Sequence, residues 1–111
     1  MAGQLKRIAG PAFIAAAAAN IYTPAAATIY TVLRHIHIAN VTASAVTFSM
    51  YVGATGGSAA GTELFKGHSV AANQELDYWC NLKMLSTDFL TALDANGAAL
   101  VITVEGEQVV V

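Results

Sequence analysis

The sequence predicts an all-β domain, a jelly-roll-like antiparallel β-sandwich of seven or eight strands. Three observations carry this expectation. Apolar and polar residues alternate with period two over most of the chain from Thr28 onward, the pattern of strands with one face buried. The alternating runs are short and separated by clusters rich in Gly, Asn and Ser, the spacing of sandwiches and barrels. Several runs are long, and a last strand returning beside early ones suits a jelly roll better than a simple meander.

Residues 1–27 form an N-terminal arm or edge strands, and residues 28–111 the β-sandwich domain. In the first segment Leu5–Ile8 and Phe13–Ala17 read as short strands. Alanine favours helix, but the Ala15–Ala19 run lacks polar periodicity and lies between Pro11 and Pro24. An arm that orders only against a neighbour is the alternative.

Thr28–Val41 reads as a strand with Tyr30, Val32, Ile36 and Ile38 on one face and Thr31, His35 and His37 on the other. Arg34 falls on the apolar parity, which predicts a bulge or strand end there. After a polar turn over Asn40–Ser44, Val46, Phe48, Met50 and Val52 alternate with Thr47, Ser49 and Tyr51. These two strands are expected to pair as a hairpin. Gly53–Gly61 (GATGGSAAG) is a hairpin tip or interface loop. It lacks the Lys-Ser or Lys-Thr pair of a phosphate-binding loop, since Thr62-Glu63 follows Gly61.

Thr62–Val70 is the next strand, with a bulge expected at Leu64-Phe65. Leu76, Tyr78, Cys80, Leu82 and Met84 then alternate with Asp77, Trp79, Asn81 and Lys83. Ser86-Thr87-Asp88 with Phe89, Leu90 and Leu93 reads as one helical turn capped by Ser86 or Thr87. Asp94-Ala95-Asn96-Gly97 is a turn. Leu100, Ile102 and Val104 alternate with Val101, Thr103 and Glu105 in the last strand, with a bulge at Gly106 before Gln108–Val111.

Only 11% of the 111 residues are charged and 56% are apolar, against about 25% charged in an average soluble domain. A chain this small and this poor in charge is expected to bury part of its surface against other subunits. The five Lys and Arg residues are scattered and the net charge is −2, so nucleic acid is not an expected partner. Lys6 and Arg7 before the Ala-rich run Ile8–Ala19 superficially resemble a signal peptide. Gly10-Pro11 interrupts that run, and alanine is weakly hydrophobic. The expectation is a protein made and used without export, with no membrane span.

Chemistry has few footholds. His35-x-His37 puts two imidazoles on one strand face, where they would share a metal given a third ligand. His68, Asp77 and Glu75 are available in principle, but the sequence does not place them. The plainer reading is two polar residues on a solvent or subunit face, so no metal and no cofactor are expected. Cys80, the one cysteine, reads as a core thiol. No G-x-S-x-G elbow occurs, and the acidic pairs Glu75/Asp77 and Glu105/Glu107 read as solvated strand ends. No enzyme activity is expected. Trp79 and Tyr51 lie on outward parities and, with His35, His37, Phe13 and Ile14, are the expected interface residues.

The runs RHIHIAN (Arg34–Asn40), VTFSMYVGATGGSAAGTELFKG (Val46–Gly67) and VEGEQVVV at the end resemble a group of small structural proteins of tailed bacteriophages. In that group an N-terminal strand precedes an R-H-I-H-x-x-N segment and an A-G-T loop. The resemblance implies a virion component made in the host cytoplasm. A capsid decoration or cement protein, a dimer or trimer clamping neighbouring major-capsid subunits, is the type expected. It implies no functional residue, and it does not separate a head protein from a neck, tail or baseplate one. A carbohydrate- or receptor-binding module built around Trp79 is the rival of a different class.

Overall fold

The computed structural model describes residues 4–110. Eight strands follow one another: β1 (Gln4–Phe13), β2 (Ala19–Tyr22), β3 (Thr28–Asn40), β4 (Val46–Gly53), β5 (Glu63–Val70), β6 (Glu75–Leu85), β7 (Phe89–Asp94) and β8 (Leu100–Val110). They form two four-stranded sheets, ordered β1-β8-β3-β6 (sheet A) and β2-β7-β4-β5 (sheet B). No helix occurs among the described residues.

The pairing explains the order. β1 pairs with β8, β2 with β7, β3 with β6 and β4 with β5, all antiparallel. The chain is thus one long hairpin whose two arms run side by side. Rolling it up docks β8 against β3 in one sheet and β7 against β4 in the other. That is the jelly roll, two sheets with a shared interior.

The interior is built from the alternating runs. Leu33, Ile36, Ile38, Leu100, Ile102, Val104 and Met84 come from sheet A, and Val46, Phe48, Met50, Val70 and Leu90 from sheet B. Each such side chain contributes about 1.5–3 kcal/mol by leaving water. Leu76, Tyr78, Cys80 and Leu82 line the inner face of β6 as partly buried neighbours of that core, as their parity requires.

Two turns at one end are pinned by buried side chains. Asn40 Nδ2 donates to the carbonyls of Ser44 (2.8 Å) and Val70 (3.0 Å) while its Oδ1 accepts from Thr42. Asp94 Oδ1 accepts from the backbone amides of Asn96 (3.0 Å) and Gly97. Each side chain supplies the hydrogen bonds that a bend removes from the ladder.

Several expectations are corrected. β3 and β4 do not form a hairpin: they lie in different sheets, and the Asn40–Ser44 turn carries the chain across the sandwich. The helical turn expected at Ser86–Asp88 is a tight turn, in which Asp88 N donates to Leu85 O and Leu85 N to Asp88 Oδ2. Phe89–Leu93 continues as strand β7, internal to sheet B. The N-terminal strand runs unbroken over Gln4–Phe13, and residues 14–18 lie outside any strand. β1 and β2 are edge strands, one in each sheet.

The bulge expected near Arg34 exists, and it is larger than the sequence shows. Over one span β8 advances from Gly106 to Glu105, β3 from Leu33 to His35, and β6 from Leu82 to Trp79. The three strands therefore take one, two and three steps. This irregularity reverses the parity of β3. Thr31 and Leu33 point inward before it, and Ile36 and Ile38 after it. Tyr30 and Val32, expected inside, therefore sit on the outer face, where the Lys83 ammonium lies over the Tyr30 ring at 4.6 Å.

A second bulge in β5 matches the one expected at Leu64-Phe65: Met50 faces Phe65 and Tyr51 faces Glu63. A further irregularity precedes it, between the Phe48–His68 and Met50–Phe65 pairs. Gly67 there has φ +57°, a conformation that costs glycine nothing.

Candidate functional site

The outer face of sheet A gathers most of the chain's polar chemistry. Register sets the arrangement. His35, in the middle of the sheet, lies opposite Trp79 on one side and Glu105 on the other. One step along, His37 lies opposite Asp77 and Thr103. His35 and His37 share a face because they are two residues apart on one strand, beyond the bulge.

Side chains close the cluster. Asp77 Oδ1 lies 2.7 Å from both His35 Nε2 and His37 Nδ1. Glu105 Oε1 lies 3.1 Å from His35 Nδ1. The Trp79 indole stacks on the His35 ring, with centroids 3.9 Å apart and planes 9° from parallel. Both ring nitrogens of His35 thus face carboxylate oxygens, and its ring orientation is fixed by the stack.

Beside the cluster lies an open groove of about 690 Å³ between Leu5 on edge strand β1 and Trp79 on edge strand β6. Arg34 lines it, with Nε donating to Glu107 Oε2 (2.6 Å) and the guanidinium also reaching Asn81. Leu5 and Trp79 are each 72% exposed.

Charge follows contact. Burial works against the charge of His35, but hydrogen bonds and attraction from Glu105 and Asp77 overcome it and raise its pKa above 6.5. Hydrogen bonds from His37 and His35 hold the Asp77 carboxyl below its ordinary 3.8. His35 therefore contributes stability that is complete below pH 6.5 and is lost as pH rises through its folded value. Asp77 contributes stability present above pH 3.8 and lost as pH falls through its own lowered value. In chelator-treated protein, the urea midpoint should be highest between these limits and decline on both sides. His35→Gln should flatten the alkaline decline; an unchanged alkaline limb in that variant would refute the assignment.

Cys80 lines the groove but is not a reactive group. Its Sγ donates to Leu33 O at 3.3 Å, and burial pushes its thiol up, away from the reactive thiolate.

The six expected interface residues divide. His35, His37 and Trp79 come together in the cluster. Phe13 is 56% exposed at the far end of β1, opposite Val101. Ile14 and Tyr51 are corrected. Ile14 is fully buried in the core, because the chain turns inward directly after β1. Tyr51 is 5% exposed although its parity is outward. The loop after β4 folds back over that face, and Thr91, the cross-strand neighbour of Tyr51, donates to Gly57 O at 2.6 Å.

His68 and Glu75 are not in the cluster. His68 lies in sheet B against Phe48 and Phe65, and Glu75 faces Ala39. Leu5 was missed altogether, since a lone leucine in a short N-terminal run carries no signal of exposure. Comparison of the chain with family models, curated proteins and solved structures returns no match.

Proposed function

We propose that this chain is a virion building block, a capsid decoration protein that seats the outer face of sheet A against neighbouring subunits. The observation that carries the reading is the apolar display on that face. Leu5, Phe13, Trp79 and Leu85 are large, apolar and more than half exposed, on a chain that is only 11% charged. Aromatic residues are enriched at the centres of protein interfaces, and Glu107, Asp77 and Glu105 on this face are paired, the first with Arg34 and the other two with His35. Jelly rolls serve as capsid domains among other roles, and the Arg34–Asn40 and Val46–Gly67 runs resemble small phage structural proteins.

The mechanism is mechanical. Each copy removes apolar surface from water at about 25 cal/mol per Å², offset by the cost of ordering the partners. Repeated over a lattice, a modest gain per copy ties major-capsid subunits together. Dimers or trimers of the chain present more than one such face at once.

The test is to mix purified chain with particles that encode it but lack it, then quantify bound copies. Wild type should saturate the heads. Leu5→Ser/Trp79→Ser, which touches only exposed positions, should stay folded and lose most of that occupancy. Full occupancy of the double variant overturns the reading. So does a monomeric chain that ignores particles and instead binds glycans through Trp79.

A further inference from the structure

We propose that His35, His37 and Asp77 form a binding site for one divalent first-row transition ion of the zinc type, with Glu105 as the outer carboxylate that orients His35. The inference stands apart from the virion reading, and either can fail without the other.

The donors converge. One ligand atom from each of His35, His37 and Asp77 lies within 4.8 Å of the other two, and Asp77 Oδ1 is 2.7 Å from both His35 Nε2 and His37 Nδ1. Ligands at about 2.0–2.1 Å from one ion are roughly 3.3 Å apart in a tetrahedron. The histidine donors, up to 4.8 Å apart, therefore need to close toward that spacing, and the 2.7 Å contacts of Asp77 with both rings to open by a fraction of an ångström. Asp77 has the freedom to do so, since its side chain is 43% exposed.

The hydrogen-bond pattern of His35 needs a cation. Both its ring nitrogens face carboxylate oxygens, and a neutral imidazole has only one N–H. A lone pair aimed at a carboxylate is repulsive. Two arrangements remove the conflict: a second proton, or a metal ion on Nε2. With a metal, Nδ1–H donates to Glu105 while the Nε2 and His37 Nδ1 lone pairs and the Asp77 oxygen turn to the ion. That is the carboxylate–histidine–metal arrangement, in which the outer carboxylate fixes tautomer and ring orientation.

The support is rigid. His35 lies on an internal strand of sheet A, paired on both sides, and Trp79 is stacked against its ring. Two imidazoles with one carboxylate suit zinc, nickel or copper, whereas magnesium and calcium prefer oxygen donors throughout. Three protein ligands leave a position for water or for a donor from outside the chain.

Trp79 supplies the readout, being the only tryptophan and in contact with a proposed ligand. Chelator-treated protein is titrated with Ni²⁺ near neutral pH, following tryptophan fluorescence, with Zn²⁺ as competitor and Mg²⁺ as control. The expected result is saturable quenching at one ion per chain, reversed by Zn²⁺ and not produced by Mg²⁺. His37→Gln, which leaves the Trp79–His35 stack in place, should abolish saturation. Glu105→Gln should weaken binding about 10–100-fold, and His68→Gln should change nothing. Calorimetry with Zn²⁺ alone should give the same stoichiometry. Quenching that does not saturate, any other stoichiometry, or a His37→Gln protein that binds like wild type overturns the site.

Discussion

Gly106→Ala is expected to lower the unfolding free energy by about 3 kcal/mol, the upper range for an overpacked core position. Gly106 faces Leu33 across the β8–β3 ladder, where the bulge brings the two backbones close. A Cβ built on Gly106 would overlap the Val32 carbonyl oxygen and crowd the Leu33 Cα. Those are main-chain atoms of an internal strand held on its other side by β6, so no side chain can rotate away. Relief requires the two central strands of sheet A to separate. Gly57→Ala is the control: a Cβ there meets nothing within 4 Å, leaving only the cost of its φ of +59°, about 1–2 kcal/mol. Urea midpoints of the two variants check the comparison, and a Gly106→Ala loss no larger than that of Gly57→Ala would mean the strands are not so close. The same substitution should disturb the His35 cluster, because Glu105 is the next residue and His35 its partner.

Strands with one buried face were legible because their pattern is local. In β6 the burial of successive residues alternates along the whole strand, and the sequence shows the same alternation. β8 reads likewise up to Gly106. β7 gave no such signal: Leu90, Thr91 and Ala92 are all buried, since the folded-back loop covers the outer face near Thr91. A run buried on both faces loses its period of two, and FLTALD then resembles a helical turn. β3 shows a third case. Its residues were read as strand, but a bulge changes which of them face inward, and its size is set by β6 and β8 together. Arg34 announced the irregularity without revealing that Tyr30 and Val32 change sides.

The candidate site was half legible for a related reason. His35-x-His37 is a local pattern, and two residues apart on a strand fixes a shared face. Asp77 and Glu105 come from β6 and β8, roughly 40 and 70 positions on in the chain. Which acids flank the histidines depends on strand order and register, quantities that a single sequence does not encode locally. Glu75 and Asp77 looked equivalent as an acidic pair. Register separates them, setting Asp77 beside His37 and Glu75 beside Ala39. Parity misled at Tyr51 because the outer face of sheet B is covered by the chain's own loop, which a solvated-face reading does not allow for.

Deleting residues 1–19 is expected to abolish cooperative folding, not to leave an intact sandwich without its arm. The segment's charge-poor, alanine-rich composition suits a loose arm, yet the structure ties it down at four points. β1 forms one edge of sheet A along β8. Ile14 then enters the core with no exposed surface, its N–H donating to Leu100 O (2.9 Å) and its carbonyl accepting from Ala98 N (3.2 Å). Ala15 O accepts from Asp94 N, and Ala19 faces Ala92 across the β2–β7 pair. Removing the segment unpairs the outer edge of β8 and opens the core beside Leu100. Loss of the Ile14 side chain alone is worth about 2–5 kcal/mol, as an Ile14→Ala variant should show, against a total of roughly 5–15 kcal/mol for a domain. Losing the whole β1 ladder in addition exceeds that margin. Leu5→Ser, in the same strand but exposed, should shift the thermal midpoint little. The comparison separates two views of the N-terminus: a docking arm tolerates Ile14→Ala and the deletion while losing attachment, whereas an integral edge strand loses its fold first. A truncated chain that kept dispersed amide resonances and a sharp thermal transition would return the segment to the role of an arm and remove Ile14 from the core.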